Sequence, residues 1–191
     1  MTRDDAMELL QEHITSPVFF RHALAGEAAM RAYARRFGED EELWGIVGLL
    51  HDFHWERCPD LADCPFNGDK ILRERGWPEE VIEAVLAHAE DGGEARDTLM
   101  KKALFAADEI VGLITATALV RPDKRLAGVR VECVIEKMKD KSYAAASKHE
   151  RIIHSAEQLG EECSDHLALE FADHINLVLD AMQAVAGNLP I

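Results

Sequence analysis

The sequence predicts an all-α fold. Three observations predict it. Helix-cap residues recur along the whole chain, apolar residues recur between them at intervals of three and four, and no stretch sustains the alternation of a strand. The one short alternation, Gly128-Val129-Arg130-Val131, runs on into a helical pattern.

Each element follows from its punctuation. Thr2 with Asp5 has the form of a capping box and opens a helix that ends near Ile14. Ser16-Pro17 supplies an N-cap and a first-turn proline, and Gly38 suits the far end of that second helix. Asp40 caps a third helix that runs through about Phe53. Residues 57–66 carry Pro59, Pro65 and two cysteines and read as a loop. A short helix over 69–75 closes at Gly76, and Pro78 opens another that Gly92-Gly93 ends. A long helix spans about 97–119 and stops before Pro122. Three further helical stretches, over 131–139, 144–159 and 165–185, follow Gly128.

The length of 191 residues suits one domain over 1–191, with a core over 17–120. A basic break at 121–128 marks off a C-terminal helical extension, 121–191, packed on that core. An apolar content of 48% excludes a disordered chain. Acids outnumber bases by 36 to 21, for a net charge of −15, so a nucleic-acid polymer would be repelled. A small phosphorylated substrate is still compatible, because a local cation reverses the sign within a pocket. Four cysteines are too few for a disulfide scaffold and read as reduced thiols. No basic stretch leads into an apolar run at the start. The longest low-charge stretch, 103–120, contains Asp108 and Glu109, which a lipid-facing span tolerates poorly. The expectation is a cytoplasmic protein with no membrane partner; oligomeric state is not legible.

Polar residues that interrupt apolar helix faces carry the chemistry. His22 sits among Val18, Phe19, Ala25, Gly26 and Ala29, its neighbours on one face. In the third helix, Leu43, Ile46, Val47 and Leu50 form a stripe that His51 and His54 continue. Asp52 follows Gly45 and Gly48 on an adjacent row, where the missing side chains leave room for another helix or an ion. Asp108 lies between Leu104 and Phe105 behind and Val111 and Gly112 ahead. A carboxylate on such a face is salt-bridged, protonated or bound to a metal. His88 borders the apolar face of its own helix, at an end that favours a cation. Taken singly, each residue also fits a satisfied core polar group. Together, His22, His51, Asp52 and Asp108 offer two imidazoles and two carboxylates from three helices. That mixed set suits one divalent ion, Mn, Fe, Ni, Co, Zn or Mg, with positions left for water and substrate.

A histidine, then His-Asp 29 residues on, then an aspartate 56 further, all on helices, resembles the HD-domain metal-dependent phosphohydrolases. Leu49-Leu50-His51-Asp52 resembles the apolar run into that family's His-Asp pair, and Ala106-Ala107-Asp108 its small-small-Asp motif. The stretch from Cys64-Pro65 to Ile71-Leu72, then Gly76, Pro78-Glu79-Glu80-Val81 and His88, resembles its middle section. The resemblance covers about 17–120, and the later 137–145 is similar to small bacterial members of unassigned substrate. It implies an HD-domain helical bundle with additional C-terminal helices. It implies His22, His51, Asp52 and Asp108 as metal ligands, and hydrolysis of a small phosphate ester or nucleotide by a metal-activated water. Two-metal members add histidines, one just before a proline at the position of Pro65; Cys64 stands there, which favours one metal.

For proton transfer the candidates near the His-Asp end are His54, Glu56 and His88. Lys139 and Lys141 are candidates to meet a substrate phosphate. Two other readings stand beside hydrolysis: a metal-retaining binding or regulatory protein without useful catalysis, and a di-iron oxygenase of related fold.

Overall fold

The fold is that of a computed structural model, which describes residues 1–57, 64–89, 94–139, 148–162 and 170–186. Among the described residues there are α-helices and short 3-10 turns and no strand, as the cap pattern predicts. The helices are α1 (Arg3–His13), α2 (Pro17–Phe37), α3 (Glu41–Leu50), α4 (Cys64–Glu74), α5 (Glu79–His88), α6 (Leu99–Leu119), α7 (Val131–Met138), α8 (Lys148–Glu162) and α9 (Phe171–Ala184).

The predicted caps close real helix ends. The Thr2 side chain accepts from the Asp5 N–H while Asp5 reaches back to the Thr2 N–H, so two orphan donors are satisfied. Ser16 accepts from Val18 with Pro17 in the first turn, and Asp40 accepts from both Glu42 and Leu43. Gly38 ends α2 in the left-handed region at φ 78°, where a side chain would be strained.

Several boundaries differ from expectation. α4 begins at Cys64, inside the stretch read as a loop, because a proline at the second helical position costs no hydrogen bond. Residues 58–63 of that loop lie outside the described residues. α3 ends at Leu50, short of Phe53, and the chain tightens through i→i+3 bonds, Phe53 to Leu50 (3.2 Å) and Trp55 to Asp52 (3.1 Å). α6 starts at Leu99 with Thr98 as its N-cap, two residues after the expected start, and the Asp97 carboxylate pairs with Lys101 at 2.9 Å. α5 ends at His88, before the glycines at 92 and 93, which lie outside the described residues, as do 144–147 and 165–169 ahead of α8 and α9.

α2 and α3 pack on each other most extensively, and α6 lies against both. One cluster of buried apolar side chains extends from Ala6 in α1 to Met182 in α9 and includes Val134 and Met138 of α7 and Ile152 and Leu159 of α8. α8 is tied to α6 by the Arg151–Glu109 pair and by Arg151 over the Phe105 ring. α9 is anchored by His174, fully buried and hydrogen-bonded through Nδ1 to the Tyr33 hydroxyl of α2. Among the described residues no helix is long and apolar enough to cross a membrane.

Candidate metal centre

Three helices deliver four side chains to one point. α2 brings His22, the end of α3 brings His51 and Asp52, and the first half of α6 brings Asp108. One ligand atom from each lies within 4.8 Å of all the others. The Nε2 atoms of His22 and His51 are 3.0 Å apart. His22 Nε2 stands 2.9 Å from Asp108 Oδ1 and 3.5 Å from Asp52 Oδ2, and His51 Nε2 stands 3.7 Å from each.

The local structure explains this convergence. Gly26 in α2 and Gly48 in α3 bring the two backbones together, with His22 about one turn before the first and His51 just under one turn after the second. His51 Nδ1 donates to the Gly48 carbonyl at 2.8 Å, which fixes the ring and turns its Nε2 toward the cluster. His51 is buried, whereas the side chains of His22, Asp52 and Asp108 are 21–24% exposed, so the cluster is open on one side.

The electrostatics show a demand for positive charge. Burial works against a charged His22, but hydrogen bonds to Asp108 and Asp52 outweigh it and push the imidazole up to about 10. Burial works against the Asp108 charge, but His22 and His51 hold the carboxyl well below the usual range. Asp52 is likewise held low against burial, by the His51 charge and hydrogen bonds from His22 and His88. Two carboxylates and two imidazole nitrogens this close are mutually satisfied by a shared cation. The donor set, with the His51 ring already oriented by its Nδ1 hydrogen bond, fits a divalent metal.

The other expected site residues fall in different places. His88 joins the cluster from α5. It is buried, its Nε2 lies 3.2 Å from Asp52 Oδ1, and its Nδ1 donates to the Val85 carbonyl. Burial disfavours its charge, yet the Asp52 hydrogen bond raises its pKa. His54 is buried, with its ring edge-on to Phe53, and Gly68 of α4 leaves the space it fills. Burial pushes His54 down to about 4, so it is neutral at physiological pH. Glu56 does not join the cluster. Its carboxylate accepts from the Thr15 and Ser16 N–H groups at 2.8 and 2.9 Å and from the Thr15 hydroxyl at 2.5 Å. Those bonds lower its pKa, the opposite of what a general acid requires. Glu56 therefore fixes the α1–α2 junction. Lys139 ends α7 as an exposed residue and is not part of the cluster; Lys141 lies outside the described residues.

Residues 19–113 match the family model of the HD domain. Comparison with curated proteins gave no match, and comparison with solved structures gave none. The matched segment begins in α2, ends in α6 and carries all four clustered side chains in their order along the chain, and by that match the chain belongs to the HD-domain family.

Proposed function

We propose that this chain is a metal-dependent phosphohydrolase that acts on a small phosphate ester or nucleotide. HD domains bind divalent metals and are generally hydrolases, and the observation that carries the reading to this chain is the His22, His51, Asp52 and Asp108 cluster, its ligand atoms within 4.8 Å of one another. A divalent cation held there supplies Lewis acidity toward a phosphoryl oxygen and acidifies water near neutral pH.

The chain's own groups do the rest. His51, oriented by the hydrogen bond from its Nδ1 to the Gly48 carbonyl, presents Nε2 to the cluster. Asp52 and Asp108 stay ionised across the physiological range. His88 orients Asp52 and, with a raised pKa, is the group placed to hold a proton beside it. The acidic surface favours a small substrate over a phosphate polymer.

The test pairs metal analysis with a panel of phosphate esters and nucleotides assayed with Mn²⁺, Co²⁺, Ni²⁺ and Mg²⁺. Hydrolysis that tracks metal content, and loss of both in Asp108→Ala, supports the reading. Full metal occupancy in Asp108→Ala overturns the ligand assignment. Silence across the panel with metal bound favours a metal-retaining binding protein instead. Two irons per chain would favour the oxygenase.

A further inference from the structure

A cavity of about 470 Å³ adjoins the cluster and takes His22 and Asp52 into its wall. That volume is ordinary for a small-molecule site. Helix periodicity sets its course. On α2, Val18, His22 and Ala25 share one face at i, i+4 and i+7; on α6, Asp108, Gly112, Thr115 and Leu119 do the same at i, i+4, i+7 and i+11. Each face joins a cluster residue to an apolar residue at the surface, Val18 (61% exposed) and Leu119 (48% exposed).

The wall is poor in polar groups. Among the described residues on it, the polar side chains besides His22 and Asp52 are Arg21 and Thr115; aliphatic, aromatic and thioether groups and Gly112 make up the remainder, with Met182 of α9 among them. A sugar or a base placed there would give up hydrogen bonds to water that few groups replace. An alkyl or aryl group would lose nothing and bury apolar surface.

Gly112 adds an independent observation. It lies in the middle of the 21-residue α6, where glycine is the least favoured residue after proline. A Cβ on Gly112 would meet no atom within 4 Å, whereas one on Gly48 would strike the backbone of α2. Helix packing therefore does not require glycine at 112. Gly112 is exposed and lies on the cavity wall, so a side chain there would enter the open space at that wall.

We propose that the substrate is a phosphate ester of an apolar alcohol or phenol whose carbon skeleton fills this cavity, and that Gly112 sets the size it admits; the proposal rests on the hydrolase reading above. Hydrolysis adds water across the P–O bond, releasing the apolar alcohol and inorganic phosphate.

The test uses the full metal-loaded chain and two arms. In the first, alkylphosphonates from methyl to decyl, which resist hydrolysis, are titrated by calorimetry. Affinity rises about three- to fourfold per added methylene until the cavity is full. Gly112→Leu ends that rise at a shorter chain, with metal content measured alongside; Gly112→Ala gives a smaller shift in the same direction and keeps the test valid where the leucine variant fails to fold. In the second arm, octyl and 1-naphthyl phosphate are hydrolysed with higher kcat/KM than glycerol phosphate or adenosine monophosphate. Faster hydrolysis of the polar esters, with no chain-length gradient, overturns the proposal and leaves the hydrolase reading intact. A gradient sensitive to Gly112, with metal bound and no ester hydrolysed, overturns the hydrolase reading and the substrate role while upholding the apolar preference of the cavity.

Discussion

Gly26 and Gly48 touch where α2 crosses α3: a Cβ on Gly48 would lie 2.5 Å from the Gly26 carbonyl oxygen, and one on Gly26 would lie 2.7 Å from that of Gly48. No side chain separates the two backbones at this point. His22 precedes Gly26 by one turn and His51 follows Gly48 by slightly less, so this contact sets the 3.0 Å separation of their Nε2 atoms.

Gly48→Ala forces backbone away from backbone. Overpacking of this kind costs about 1–3 kcal/mol, and each kcal/mol lowers Tm by roughly 2–4 °C in a chain of this size. The same displacement parts His22 from His51, so bound metal falls along with Tm. Scanning calorimetry and elemental analysis on one sample check both; an unchanged Tm with full metal content would sink the account.

Gly112→Ala has the opposite sign. The new methyl meets nothing within 4 Å, so only the helix preference for alanine acts. The variant gains about 0.5–1 kcal/mol, read as a higher urea midpoint. The two glycines, alike in sequence as breaks in an apolar helix, separate by what faces them.

That contrast shows where legibility in the sequence ends. Caps and buried charges are local, so most helix starts, and the four residues that converge, can be read from the chain. The occupant of a gap is not local. Gly45 and Gly48 mark room, but only the structure shows that the Arg31 side chain takes the first and the backbone of α2 the second. Proline is ambiguous in the same way: Pro65 serves a first helical turn as readily as a loop, which hid the start of α4. Glu56 follows the His-Asp pair closely in sequence, yet its carboxylate turns to Thr15 and Ser16, 40 residues and more earlier. Gly112 and Thr115 gave no sequence signal as site residues, because a cavity wall is defined by what is missing across it.

Glu56→Ala separates the two roles considered for that residue. It frees the Thr15 and Ser16 N–H groups at the entry of α2 and lowers Tm modestly. Metal content and kcat on any hydrolysed ester stay at wild-type values. A large drop in kcat with Tm unchanged would restore a catalytic role.

His174 makes stability depend on pH. Burial pushes its pKa down to about 4, against the pull of a hydrogen bond to the Ala106 carbonyl, whereas in the unfolded chain it titrates near the ordinary 6.5. Between those values the unfolded chain binds a proton that the folded chain refuses. The contribution of this residue is therefore complete above 6.5 and is lost as pH falls toward 4, by about 3 kcal/mol in all. The loss loosens α9 from Tyr33 and from the Ala106 segment of α6, two residues before Asp108. Urea unfolding of chelator-treated protein between about pH 7.5 and 4.5 measures the slope. His174→Gln, which keeps a hydrogen-bonding group and cannot titrate, flattens it relative to the wild type. Parallel curves for the two proteins would mean that α9 is held without regard to the charge on this imidazole.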